Sequence, residues 1–236
     1  SVVDASSQGL PVAAPGAVGM NAAKLNQIDA LVEADIAAKK LPGAVVIVGH
    51  KGKIVFRKAY GNRSLVPTVE KMTVDTIFDV ASLTKPIATA TSIMILVEQG
   101  KLRLNDTIGM YILDIDDPAA KRITIQQLLT HTSGYAPDFD LKEKWTGRKG
   151  MLAALKNEKL RTPPGTKFVY SDIGFEILGE LVERITGKPI DLFIGPNIFG
   201  RLGGKDSGFR RRSGTAEPVK LPGLARIAPT ENIRGQ

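Results

Sequence analysis

The chain has 236 residues, enough to bury a sizeable core, with 43% hydrophobic and 24% charged residues. Its formal net charge of +8 is spread along the sequence, and it contains no cysteine and two histidines. This composition excludes disulfides, thiolate metal sites and cysteine nucleophiles, leaves no clustered ligand set for a metal or other cofactor, and offers no apolar run long enough for a transmembrane segment.

Residues 1–20, rich in Ala, Gly, Ser and Pro and without hydrophobic periodicity, read as an extended lead-in of the kind left by a removed signal peptide. The expected location is therefore periplasmic or secreted, with the cytoplasm still open. Asn21 is placed to cap a helix whose apolar positions Leu25, Ile28, Leu31, Val32 and Ile36 recur at helical spacing, with Pro42 and Gly43 behind it. "AVVIVGH" and "IVFRKAYG" then flank Lys51, Gly52 and Lys53 as a strand–turn–strand unit. After a polar loop, "TIFDVAS" leads into "VASLTKP" at 80–86, followed by Ile87, Ala90, Met94 and Val97 at spacings of three and four, with Gly100 as the stop. This predicts a helix that begins close to Ser82 and carries Pro86 in its first turn.

Residues 104–160 read as short helices and turns, in "NDTIGMYI", "TIQQLLTHTSG" and "KGMLAALKNEKL". "TPPGTKFVYSD" is a turn feeding an extended piece, and Asp172 opens an amphipathic helix through Ile173, Ile177, Leu178, Leu181, Val182 and Ile185, closed by Gly187. From about residue 200 the chain is Gly-, Arg- and Pro-rich with little periodicity. Its densest basic patch, "FRRRSG" at 209–214, reads as a solvated loop. The pattern is α+β: an antiparallel sheet flanked by helices, plus an all-helical region at about 82–200. One hairpin is too little sheet for this much helical apolar surface, so either strands are hidden in the middle or sheet strands lie beyond this chain.

Ser82 and Lys85 stand one helical turn apart, which brings a hydroxyl and an amine within reach of each other. A helix entrance stabilises a developing alkoxide, and the backbone N–H of Ser82 is a candidate oxyanion donor. Burial of Lys85 would lower its pKa and suit it to accept a proton. Ser-x-x-Lys alone also fits a simple helix cap. Tyr170, before a long helix, adds a third group able to shuttle protons, although taken singly it fits a core aromatic equally well.

In this setting the sequence resembles the serine β-lactamase and penicillin-binding-protein family, in the branch with class C β-lactamases, DD-peptidases and related esterases. The resemblance is carried by "PGAVVIVGHKGKIVFRKAYG", "TIFDVASLTKPIATATSIMILVEQGKLRLND", "ITIQQLLTHTSG", "PPGTKFVYSDIGFEILGELVERITGKPI" and "LGGKDSGF", in the family's usual order. It implies a β-lactamase/transpeptidase-like fold, with residues 21–236 the N-terminal part of a single such domain. It also implies that Ser82 is the acylated nucleophile, with Lys85 and Tyr170 sharing general-base and general-acid duty. The substrate would be a β-lactam, a D-Ala-D-Ala-type peptide or a small ester. His131 falls in a segment taken as a hydrogen-bonded turn, and His50 ends a strand beside a turn.

Two departures qualify the resemblance. Where the family's lactamases carry Tyr-x-Asn, Asp172 offers a substrate-binding position that only accepts hydrogen bonds and that raises the pKa of Lys85. Asp172 also suits a helix cap. The third family motif, a Lys or His followed by any residue and Gly on a sheet strand, is not found after Tyr170. The expectation is a chain that stops ahead of the last sheet strands and has its own C-terminal segment as partner. An alternative is a penicillin-recognising or cell-wall-binding protein that is acylated without efficient turnover. A basic nucleic-acid-binding domain rests on net charge and "RRR" alone, so no nucleic-acid partner is expected.

Overall fold

A computed structural model of the chain describes residues 9–140, 145–209 and 224–229. The arginine run at 210–212, the first eight residues and the stretch 230–236 lie outside the described residues. The chain divides into two compact units, one of residues 1–80 and 199–236, the other of Ala81–Ile198.

The first unit is a helix on a small antiparallel sheet. Helix α1 (Ala22–Ala37) starts where Asn21 accepts a hydrogen bond from the backbone N–H of Lys24, as its cap position predicts. Strands β1 (Gly43–His50) and β2 (Lys53–Ser64) form the predicted hairpin. Lys51 and Gly52 both adopt positive φ, 49° and 70°, the backbone that a two-residue turn between right-twisted strands needs. Strand β3 (Glu70–Lys71) adds a short third member, giving the order β1-β2-β3. Gly43 sits opposite Gly61 in the ladder, where a Cβ would meet the carbonyl of Asn62 at 2.5 Å, so the two chains approach too closely for any side chain there.

From residue 9 the lead-in packs on the first unit. Val12 bridges Ile54, and Val18 is buried in a cluster with Leu25 and Val55. Packing of single apolar residues, which carry no periodic signal, fixes it in place.

The second unit is helical. A tight turn at Ala81–Leu83 precedes a π-helical stretch, Lys85–Ala90, that runs into α2 (Thr91–Glu98). The sequence predicts an α-helix from Ser82; the wider winding follows from Pro86, which lacks an N–H and crowds the preceding turn. The Thr91 hydroxyl donates to the Pro86 carbonyl at 2.9 Å and holds the turn open. Short helices α3 (Pro118–Lys121) and α4 (Ile125–Leu129) follow, α4 opened by a reciprocal box between Thr124 and Gln127. Helices α5 (Gly147–Asn157), α6 (Asp172–Thr186) and α7 (Ile190–Ile194) complete the unit.

Helix α6 is its axis. It packs against α2, α4, α7 and the π-helical stretch, and it buries Ile173, Ile177, Leu178, Leu181 and Val182 completely. Glu180, on the same helix, has a side chain 1% exposed and is held by Arg148 through two hydrogen bonds of 2.7 and 2.6 Å and by Arg184 at 2.6 Å. Among the described residues, no helix is long and apolar enough to cross a membrane.

Candidate active site

Four segments of the helical unit meet at the head of α6. The cap is Ser171, not Asp172: its Oγ accepts from the Gly174 N–H at 3.3 Å and donates to the Ala136 carbonyl at 2.6 Å. The Ser171 N–H donates to His131 Nδ1 at 3.1 Å, and the Asp172 N–H to the Pro137 carbonyl at 2.7 Å. The first turn of α6 thus ties the 131–137 turn to the segment carrying Tyr170. Gly134 makes that turn possible, with φ of 89° and no room for a Cβ against the Thr162 carbonyl.

On this base the structure brings together Ser82, Lys85, Tyr170 and Asp172. Lys85 Nζ donates to Ser82 Oγ at 3.1 Å and pairs with Asp172 Oδ1 at 2.6 Å. Tyr170 stands beside them: the Lys85 ammonium lies 4.8 Å from its ring centroid, and its hydroxyl feels both Ser82 and Lys85. Ala81, immediately before Ser82, has φ of 43°, a strained backbone for a residue with a Cβ. Ser82, next in the chain, is exposed.

The electrostatics divide the labour. Burial, the largest single influence on Lys85, lowers its pKa, yet the hydrogen bonds and charges of Asp172 and Tyr170 together outweigh it and leave the ammonium above its ordinary range. Of the two opposing expectations for this amine, the one based on burial is overturned and the one based on Asp172 holds. Tyr170 moves the other way: its hydrogen bonds to Ser82, first, and to Lys85 favour the phenolate and bring it below the usual phenol range. The pair is therefore a cation beside a phenol primed to ionise.

His131 is a neutral support. Its ring packs on Tyr170 at 4.4 Å and on Phe175 at 5.0 Å, and burial followed by the Lys85 charge lowers its pKa. Its φ of 56° and its Nδ1 contact make it the hydrogen-bonded turn residue that the sequence predicts. His50 is exposed at the end of β1, in the first unit. Two neighbours went unread in the sequence: Phe175, which lies 6.0 Å from Lys85 Nζ, and Glu176, one turn along α6 from Asp172. The spacing of four residues was the available signal for Glu176.

With this geometry in view, comparisons with known proteins are specific. A protein-family model described as Beta-lactamase matches residues 28–225. An N-acetylmuramyl-L-alanine amidase of Bacillus subtilis is 34% identical, the alignment covering 75% of this chain and 44% of the amidase. An Escherichia coli protein with the provisional name D-alanyl-D-alanine carboxypeptidase is 31% identical, covering 82% of this chain and 49% of that protein. A solved class C β-lactamase superposes with a TM-score of 0.66 at 27% identity, covering 75% of this chain and 49% of its own. The chain spans about half the length of the curated relatives it matches.

Proposed function

The chain belongs to the serine β-lactamase and penicillin-binding-protein family, and from that premise we propose that it is a hydrolase forming an acyl-enzyme on Ser82. Its fold is the α+β arrangement of β-lactamases and transpeptidases. The observation that carries the reading is the convergence of Ser82 Oγ and Lys85 Nζ, hydrogen-bonded at 3.1 Å, with Tyr170, whose ring centroid lies 4.8 Å from the same ammonium.

In this mechanism Tyr170, as phenolate, takes the proton of Ser82 Oγ as that oxygen bonds to the substrate carbonyl carbon. Lys85 stays cationic and stabilises first the phenolate and then the negative charge passing through the site. The Ser82 backbone N–H is assigned to the oxyanion. Collapse breaks the bond to the leaving nitrogen or oxygen, which receives the proton from Tyr170. Water then attacks the Ser82 ester with Tyr170 again as base, and the proton returns to Ser82 Oγ.

The favoured substrates are small esters, because D-Ala-D-Ala-type peptides and β-lactams both bring an acylamide carbonyl to the site. Asp172 supplies an acceptor where an acylamide carbonyl requires a donor, and its ion pair with Lys85 already occupies it. The names of the amidase and carboxypeptidase relatives support cell-wall peptide chemistry, and a net charge of +8 suits an anionic wall polymer. Export from the cytoplasm belongs to this proposal.

The test is covalent labelling with fluorescent penicillin and a fluorophosphonate. Labelling of the native chain and its loss in Ser82→Ala is expected; equal labelling of both overturns the proposal. The tight Lys85–Asp172 pair favours a second reading, acylation without efficient turnover. A single burst of product from nitrocefin or p-nitrophenyl acetate supports it, and steady product release excludes it.

A further inference from the structure

We propose that Glu176 is a positioning residue whose carboxyl, one helical turn from Asp172, sets the charge balance of the Lys85–Tyr170 pair and so the pH at which Tyr170 is ready to act as a base. The inference deepens the catalytic reading and rests on it for its functional consequence, while its electrostatic part stands alone.

Glu176 is half-buried on the face of α6 that also carries Asp172, and its Oε2 is shut off from solvent with no hydrogen-bond partner among the described residues. A buried carboxylate oxygen without a donor is costly, and no helix cap or ion pair accounts for it here. Among the described residues the charged groups around it are few. Asp138 comes from the 135–140 segment, Asp172 from its own helix, and Lys85 from the π-helical stretch. Helix α4, packed against α6, carries no ionisable side chain, and His131 beyond it is neutral. Asp191 on α7 and Glu98 at the end of α2 are the remaining acids on the helices that touch α6.

Two acids and one cation act on a half-buried carboxyl, one of whose oxygens is shut off from water. Burial first, then Asp138 and Asp172, push the Glu176 pKa up to about 7, with Lys85 opposing. Glu176 is therefore a neutral acid below that pH and a carboxylate above it. Its ionisation places a further negative charge beside Lys85 and opposes the phenolate of Tyr170. The ascending limb of the rate profile is spread over a wider pH range than one group would give.

The tyrosines provide a readout that needs no substrate. The chain has four. Burial raises Tyr60 and Tyr135, and burial with the Asp106 carboxylate pushes Tyr111 up to about 12, whereas Tyr170 is lowered. The first tyrosinate step in a near-ultraviolet titration of the full chain is thus that of Tyr170, and it is missing in Tyr170→Phe.

In Glu176→Gln that first step is expected to move to lower pH by about half a unit, the size of one like charge removed across a partly solvated site. Glu176→Asp restores the native position. Glu176→Met, neutral and of similar length, reads the same shift if the Gln variant does not fold. A first step that coincides in native chain, Gln and Met variants overturns the inference. If the step shifts while Ser82 takes up no label, Glu176 keeps its role and the acyl-enzyme reading falls. In an active chain, the ascending limb of kcat/KM moves in the same direction as the step.

Discussion

Asp172→Asn isolates the contact that sets the site's electrostatics. The carboxylate lies 2.6 Å from Lys85 Nζ, with side-chain exposures of 46% and 13%. At that separation Coulomb's law gives roughly 1.6 kcal/mol in bulk water and about four times that at an effective dielectric constant of 20. The near-half exposure of Asp172 and the cost of ordering both side chains bring the net value to about 1 kcal/mol, or about 0.7 of a pH unit in the Lys85 titration. The Lys85 pKa is raised in the folded chain above its ordinary 10.5. Its stabilisation is therefore present in full below 10.5 and is lost as pH rises through the higher folded value. Asp172→Asn should accordingly be about 1 kcal/mol less stable from neutral pH to the lysine range, with the gap closing in strong alkali. Denaturant unfolding across pH measures the gap, and isotope-edited NMR of the lysine ε-carbons follows Lys85 directly. Equal stability at neutral pH together with an unmoved Lys85 titration would refute the reasoning.

Three further outcomes are expected. Tyr170→Phe should slow acylation of Ser82 by roughly 100-fold or more while leaving the fold intact, since it removes the base and no buried contact of size; stopped-flow labelling beside circular dichroism checks both halves. His131→Asn keeps an acceptor near the Ser171 N–H and tolerates the positive φ. Because the His131 pKa lies below its ordinary 6.5, the stability it contributes is present above that pH and lost as pH falls through the folded value. The variant should lack this acid-side decline in thermal unfolding. Glu180→Gln should destabilise the chain by about 1–2 kcal/mol, because Arg148 and Arg184 lose their shared buried carboxylate while keeping Glu183 and Asp114, and denaturant melts report it.

Much of the fold was legible where local chemistry acts alone. Asn21 as a cap, the Lys51–Gly52 turn and the amphipathic run of α6 follow from capping, positive φ and periodicity, each within a few residues. The neighbourhood of Ser82, Lys85 and Tyr170 was legible through the family pattern, and the structure assembles it from segments some 85 residues apart. What escaped was set by contacts across such distances. The sign of the Lys85 shift depends on whether Asp172 or burial wins, and only the 2.6 Å pairing decides that. The cap of α6 passed to Ser171 because Ala136 and His131 engage that residue from another segment. The π-helical stretch after Pro86 depends on the Thr91 hydroxyl, a detail that periodicity averages away.

The Ser171 cap has a kinetic corollary. Its hydroxyl and amide knot together the start of α6, the His131 turn and the segment bearing Tyr170. Fraying of that single helical turn would disperse the reacting groups while the apolar body of α6 stayed folded. Inactivation by mild heat or denaturant should then precede global melting, as a sub-global opening visible in the exchange of the Ser171 and Gly174 amides.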